Sequence, residues 1–221
     1  MSFDFKGRLT AGLSQLEITL SDDSARQLEI YFNELKKWAG KINLIARLSS
    51  DEQILENHFI DSLTLFPLLK KSDAHLLDIG TGAGFPGLVC KVALPDLKLT
   101  LVEPRQKRVS FLRHIIRTLG LQDVTVLDCR IEDEKKLPSA TFFSHITGRA
   151  VSDIKVFLGM VERFSAGGAE VICMKGPKWQ EEADVAAEVI EKRFILRERV
   201  ELRLPFSGAW RTLLLYVPVE K

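Results

Sequence analysis

Hydrophobic positions divide the chain into two parts with different periodicities. Over the first seventy residues they recur at the spacing of amphipathic helices, as Leu28, Phe32 and Leu35 do. A second helical stripe covers residues 51–69. Because these helices are too hydrophobic to stand alone, we expect residues 1–72 to form an N-terminal helical cap against the rest of the chain.

From residue 73 onward, short apolar runs alternate with amphipathic segments. Such alternation indicates a parallel α/β sheet with right-handed crossovers. The last two strands have no helix between them and should be antiparallel, since a parallel return needs a longer connection. Residues 73–221 are therefore predicted to form a doubly wound, Rossmann-like sheet of seven strands with a C-terminal antiparallel strand. The predicted strands are 75–79, 98–102, 124–127, 142–147, 169–174, 194–202 and 212–217, and the predicted helices 86–94, 107–119, 151–164 and 179–192.

Composition narrows the class of protein only slightly. The chain has 221 residues, 46% hydrophobic and 28% charged, a balance that excludes wholesale disorder. A net charge of +1 excludes a histone-like binder of phosphate but permits a local basic patch. The three separated cysteines form no Cys-x-x-Cys pair and indicate no disulfide framework or zinc site. Without a signal peptide or a long apolar run, we expect a cytoplasmic protein with no membrane partner.

The strongest chemical signal is a glycine-rich turn after the first predicted strand of the sheet. Residues 76–87 read LLDIGTGAGFPG, and Gly80, Gly82 and Gly84 permit positive φ and the close approach of a ligand. Phe85 stands where the third glycine of a dinucleotide fingerprint would fall. A nicotinamide oxidoreductase therefore becomes the weaker interpretation of this loop.

Acidic residues at neighbouring strand ends, together with the glycine loop, predict a pocket for an adenosine. Asp78 lies in the first strand, and Glu103 ends the second, where a carboxylate can accept both ribose hydroxyls. Ile131 and Glu132 follow the third strand, in a turn that would close over the adenine. The combination resembles class I methyltransferases, which use S-adenosyl-L-methionine.

Five segments, which occur in this order along the chain, indicate one family within the class I methyltransferases. They are residues 57–62, the glycine loop, and residues 107–113, 148–150 and 174–176. Together they resemble the ribosomal RNA small subunit methyltransferase G family, formerly glucose-inhibited division protein B, over about residues 22–177.

The resemblance implies methyl transfer from S-adenosyl-L-methionine to N7 of one guanine in 16S rRNA, close to the decoding centre. It assigns cofactor contacts to Gly80, Phe85, Ile131, Glu132 and Arg149. The partner would be 16S rRNA or the small ribosomal subunit, and we expect no DNA partner and a monomer.

Methylation at guanine N7 needs no general base, because this nitrogen has an in-plane lone pair and no proton. We therefore predict catalysis mainly by positioning, with no triad and no metal. Arg149 is a candidate for holding the methionine carboxylate or a phosphate. Lys175 contacts substrate or lies in a solvated turn. His58, one helical turn before Asp61, either forms a bracing pair with that carboxylate or lies at the mouth of the site.

Basic residues cluster after the second predicted strand, at Arg105, Lys107, Arg108 and Arg113, where they are predicted to share much of one helix surface. Such a cluster is either a solvated face or a set of phosphate contacts to RNA. The tryptophans at positions 38, 179 and 210 lie in apolar surroundings and are predicted to be core residues. Two further functions stay open: a methyltransferase of a small molecule or protein, and a non-catalytic S-adenosylmethionine sensor that binds RNA.

Overall fold

The N-terminal helices lie in the region predicted to be a cap. The computed structural model describes residues 3–46, 49–70 and 73–219. The helix predicted over 51–69 contains a π-helical turn, Leu55–Ile60, and is interrupted after Leu63. A proline at position 67, which lacks a backbone N–H, contributes to this break. The helices in the described residues are α1 (Phe5–Gln15), α2 (Asp22–Ala39), α3 (Asp51–Ile54), α4 (Asp61–Leu63), α5 (Phe66–Leu69), α6 (Gly87–Ala93), α7 (Gln106–Leu119), α8 (Ile154–Val161) and α9 (Trp179–Arg193).

Seven strands within the described residues form one sheet in the order β3-β2-β1-β4-β5-β7-β6. Strands β1 to β5 are parallel, and β7 is antiparallel to both β5 and β6. The predicted doubly wound sheet is thus confirmed. The strand order changes direction at β1 and β4, which makes the crevice between their carboxyl ends the expected ligand position. The strands are β1 (His75–Ile79), β2 (Lys98–Val102), β3 (Val124–Leu127), β4 (His145–Gly148), β5 (Glu170–Lys175), β6 (Phe194–Arg203) and β7 (Trp210–Pro218).

The predicted elements β4 and α8 each begin three residues later in the structure. Strand β4 begins at His145, not at residue 142, because its parallel neighbour β1 itself begins only at His75 and the paired register starts with Leu76 and His145. Phe142 consequently lies outside the sheet and is 59% exposed. Helix α8 ends at Val161 and continues as a 3₁₀ segment, Glu162–Gly167.

The sheet is covered on both faces by hydrophobic cores. One core joins the N-terminal helices, α6 and α7 to the sheet and includes Tyr31 and Phe59, and the other lies under α8 and α9. The predicted boundary between residues 72 and 73 borders positions 71 and 72, which lie outside the described residues, so the division into cap and domain stays a prediction. No helix in the described part of the chain is long and apolar enough to cross a membrane.

The prediction that all three tryptophans are core residues is wrong for Trp210. Trp38 and Trp179 are partly buried, whereas Trp210 is 45% exposed. It begins β7 beside Arg203 of the edge strand β6. The side chain therefore lies near the margin of the sheet, where packing against other elements is incomplete.

Candidate active site

The glycine loop lies at the carboxyl end of β1 and has the backbone geometry that its sequence predicts. Gly80, Gly82 and Gly84 have φ angles of +64°, +63° and +96°. A Cβ on Gly84 would lie 2.4 Å from the hydroxyl oxygen of Tyr31. That hydroxyl donates a hydrogen bond to the carbonyl of Ala83. Helix α2 of the N-terminal region therefore holds the loop in place.

Asp78 supports the loop from inside the sheet. Its Oδ2 accepts hydrogen bonds from the Thr81 hydroxyl at 2.6 Å and the Gly87 N–H at 2.8 Å. Its Oδ1 is buried and has no hydrogen-bond partner among the described residues. Burial raises the pKa of Asp78 to about 7, against the opposing effect of these hydrogen bonds. The side chain thus has one bracing oxygen and one unused oxygen.

Glu103 follows β2 and turns its carboxylate toward the glycine loop. It accepts hydrogen bonds from the Gly82 N–H at 3.0 Å and the Arg105 N–H at 2.9 Å. Arg108 lies 3.6 Å from the same carboxylate and donates to the carbonyl of Asn43 at 3.4 Å. A negative charge is therefore held in place at the strand end beside the loop.

The basic residues of α7 do not all share one surface. Arg105, Lys107 and Arg113 are exposed. The side chain of Arg108 is only 26% exposed because it packs inward against Glu103. The exposed three are available to a large external ligand, whereas Arg108 belongs to the loop environment.

The turn after β3 supplies one apolar and one acidic side chain to this edge. Ile131 is buried and its carbonyl accepts a hydrogen bond from Arg163, while Glu132 is exposed. The sequence-predicted cofactor residues up to this turn thus follow the carboxyl ends of three adjacent strands.

Phe85 occupies a more buried position than a ligand-facing ring needs. It stacks on Tyr31 with a centroid distance of 5.6 Å and on His58 at 4.9 Å. The Arg149 guanidinium lies 5.4 Å from its ring centroid. Phe85 therefore connects the glycine loop to the residues on the other side of the crevice.

Arg149, which follows β4, is held by three groups of the π-helical segment and α4. It donates to His58 Nδ1 at 2.9 Å, to Asp61 Oδ2 at 3.2 Å and to the Asn57 carbonyl. Burial and the charge of Arg149 lower the pKa of His58 to about 4, so the ring stays neutral at physiological pH. In the described part of the chain, His58 and Asp61 are joined through Arg149 and share no direct hydrogen bond.

Asp61 is a buried carboxylate between two arginines. Besides Arg149, it accepts a hydrogen bond from Arg211 Nε at 2.8 Å. Lys175 pairs with Glu182 at 2.7 Å and donates to the Ser152 carbonyl at 2.9 Å. These groups border one cleft of about 510 Å³, lined by Asn57, His58, Asp61, Arg149, Ala150, Ser152, Met174, Lys175, Gly176, Glu182 and Arg211.

Arg211 and Glu182 are site residues that the sequence interpretation missed. A signal for Arg211 exists in the sequence, because it alternates with Leu213 and Leu215 on the inward face of β7. An antiparallel strand at that position places its first residues at the carboxyl edge of the parallel strands. Glu182 lies one helical turn into α9 and carries no comparable signal.

The strand order, the glycine loop and the acidic residue after β2 define the fold and ligand crevice of a class I methyltransferase. Residues 24–207 match the family model described as rRNA small subunit methyltransferase G. The chain belongs to this family.

Similar proteins support the assignment along nearly the whole chain. A protein named Ribosomal RNA small subunit methyltransferase G from Desulfotalea psychrophila is 54% identical, covering 96% of this chain and 98% of its own. Its namesake from Syntrophus aciditrophicus is 38% identical, with 92% and 85% covered. The crystal structure of cofactor-bound Rv0187 from MTB has a TM-score of 0.61 at 15% identity, covering 89% of this chain and 91% of that chain, which shows a shared fold.

Proposed function

We propose that the protein transfers a methyl group from S-adenosyl-L-methionine to N7 of a guanine in 16S rRNA. The observation that carries the proposal is the junction of the glycine loop with a cleft bordered by Arg149, Lys175 and Arg211. The two halves meet at Phe85, which contacts both His58 and Arg149. A nucleoside on one side and an RNA base on the other would thus be neighbours. Membership of the methyltransferase family supports the same assignment.

The residues of the β1–β2 edge fit an adenosine and a methionine group. Glu103 presents a carboxylate for ribose hydroxyls, and Ile131 with Glu132 would border the adenine. Gly80 and Gly82 keep the loop free of side chains, and a Cβ on Gly82 would have no atom closer than 3.7 Å. The unpartnered Asp78 oxygen lies under the same loop and has the polarity to receive a donor. When bound, S-adenosyl-L-methionine supplies an electrophilic methyl group.

Arg149 has the geometry to position either the carboxylate of the methyl donor or an RNA phosphate. A guanidinium binds such groups through two parallel hydrogen bonds. Its own orientation is fixed by Asp61 and His58, which leaves little freedom for the fork to rotate. Because the His58 ring is neutral, it adds no second positive charge beside a base that becomes cationic.

The remaining groups of the cleft would position the guanine. Its N7 carries a lone pair and no proton, so the chain needs to supply orientation and not a base. Lys175 and Arg211 offer donors to RNA oxygens, and Glu182 places a carboxylate near the charge that develops on the product. The exposed cations Arg105, Lys107 and Arg113 extend the RNA contact along α7. We further propose a monomer that acts in the cytoplasm on the assembled small subunit.

Labelled S-adenosyl-L-methionine tests the proposal. The protein is incubated with small ribosomal subunits lacking the modification, with naked 16S rRNA, with a protein extract and with a panel of small-molecule acceptors. Digested RNA is then resolved by mass spectrometry. We expect label in 7-methylguanosine at one rRNA site and more label in the particle than in naked RNA. Label confined to protein or a small molecule would replace the RNA proposal. Cofactor binding without any turnover would indicate a sensor.

Paired variants show whether the cleft carries the activity. Arg149→Met should abolish transfer. Arg193→Met removes an exposed arginine that pairs with Glu162 on the far side of α9, and should leave transfer unchanged. Equal activities of the two variants would exclude the cleft as the catalytic position.

A further inference from the structure

Two arginine–tryptophan pairs lie on one face of the C-terminal strands. The guanidinium of Arg203 is 4.4 Å from the ring centroid of Trp210, and that of Arg199 is 5.3 Å from the ring centroid of Trp179. Arg203 and Trp210 are direct neighbours across β6 and β7. We call these four residues, Trp179, Arg199, Arg203 and Trp210, the Arg–Trp surface.

The Arg–Trp surface begins where the cleft ends. Arg211 lines the cleft and donates to the carbonyl of its neighbour Trp210 at 3.0 Å. At the start of α9, the backbone N–H of Trp179 donates to the backbone carbonyl of Gly176, another residue of the cleft, at 3.2 Å. In β7 and at the start of α9, residues of the Arg–Trp surface therefore lie next to residues of the cleft.

We propose that the Arg–Trp surface binds a single-stranded stretch of the rRNA next to the target guanine, with one base stacked on Trp210. This inference rests on the proposed function. It differs from that function in assigning contacts to the β6–β7 hairpin, outside the cleft and the basic helix α7.

The side chains of the Arg–Trp surface suit an unstacked base and its phosphate. Trp210 is 45% exposed, so part of the indole is accessible although Arg203 stacks on the ring. Within the described part of the chain Arg203 makes no ion pair, whereas Arg199 has Glu201 at 3.8 Å. A cation beside an accessible aromatic ring matches the phosphate and base of one nucleotide.

Substitution of Trp210 tests the surface without disturbing the cleft. We expect Trp210→Ala to raise both the Kd and the KM for small subunits about 10-fold, the size expected for one lost base stack. The kcat and the affinity for S-adenosyl-L-methionine should not change. Trp210→Phe retains an aromatic face and should stay within about threefold of the wild type.

Phe142→Ala is the matched control, because Phe142 is also an exposed aromatic residue. It precedes β4, at the amino ends of the parallel strands, whereas the cleft lies at their carboxyl ends. Its Kd and KM should equal those of the wild type. Thermal unfolding of every variant confirms that folding is intact.

The outcomes separate the two proposals. A wild type that methylates rRNA, together with Trp210→Ala at unchanged Kd, overturns the Arg–Trp surface and leaves the function standing. Equal losses in Trp210→Ala and Phe142→Ala also overturn it. A wild type that binds RNA without methylating it overturns the function, while the binding measurements still decide the surface. A wild type that binds no RNA overturns both.

Discussion

The pKa of Asp78 makes the stability of the glycine loop dependent on pH. The folded carboxyl has a pKa raised to about 7 by burial, against 3.8 for an ordinary aspartate. The folded state thus keeps its proton at pH values where the unfolded chain has lost it. This contribution to stability is complete below pH 3.8 and is lost as pH rises through 7.

The magnitude follows from the two pKa values. Each tenfold difference in proton affinity corresponds to about 1.4 kcal/mol. At about pH 5 the unfolded carboxyl is already mostly ionised, so part of the stabilisation by Asp78 has been lost by that pH. Between about pH 5 and 8.5 the unfolding free energy of the cofactor-free protein should fall by about 3 kcal/mol because of Asp78.

Asp78→Asn isolates this contribution. Its amide oxygen can accept from Thr81 and Gly87, and its NH₂ group would occupy the position of the unpartnered oxygen, at a cost that does not vary with pH. Urea unfolding at several pH values, followed by tryptophan fluorescence, should show the variant gaining about 3 kcal/mol on the wild type between about pH 5 and 8.5.

Asp128→Asn is the control for Asp78→Asn. The Asp128 carboxylate is partly exposed, and its hydrogen bonds with Lys136 and Gln106 lower its pKa to about 2. The stability that it contributes is present above pH 3.8 and is lost only as pH falls toward 2. Its difference from the wild type should therefore be constant over the same range. A constant difference for Asp78→Asn as well would refute the raised pKa.

Three further substitutions test separate parts of the site. Gly84→Ala should destabilise the protein by about 3 kcal/mol in urea unfolding, because the new Cβ meets Tyr31. Gly120 also has a positive φ but has open space around it, so Gly120→Ala should cost about 1 kcal/mol. Similar losses in the two variants would contradict the steric argument. Glu103→Gln should weaken S-adenosyl-L-methionine binding about 10-fold in calorimetry; unchanged affinity would remove Glu103 from the pocket. Asp61→Asn should lower kcat/KM on the order of 100-fold; activity like that of the partly exposed control Asp51→Asn would show that Asp61 does not position Arg149.

The interior strands β1 and β2 were predictable because burial on both faces leaves little ambiguity in sequence. The predicted bounds of β1, β2 and β3 equal the observed ones. Strand β3 lies at the edge of the sheet and has no fully buried residue, so its prediction depended on its β-branched residues. The predicted β4 starts too early, because apolar character alone does not show where the neighbouring strand begins.

The glycine loop was predictable for a different reason. Few residue types other than glycine adopt a positive φ, so three glycines at alternate positions predict the backbone conformation of the loop. The residues at the following strand ends could be located once the strand order was assumed. Their roles toward a ligand stay predictions, since Glu103 and Asp78 are here seen only with protein partners.

The π-helical turn could not be foreseen from hydrophobic spacing. Residues 55–60 fit an ordinary helical stripe, and the alternative in which His58 pairs directly with Asp61 depended on that spacing. The wider turn also directs Glu56 toward the hairpin between β6 and β7, where it accepts from the N–H groups of Phe206 and Ser207. Contacts of this kind depend on segments about 150 residues apart, which local patterns do not encode.

Asp61 allows two arginines that are far apart in sequence, Arg149 and Arg211, to lie side by side in the cleft. Two guanidinium groups at one site repel each other, and a buried carboxylate between them removes that cost. Arg149 follows a parallel strand and Arg211 is the second residue of the antiparallel one, so they meet because β7 runs in the opposite direction. The antiparallel strand is therefore more than a closing element of the sheet. It delivers a second cation to the carboxyl edge, where a parallel strand would deliver only its own last residues.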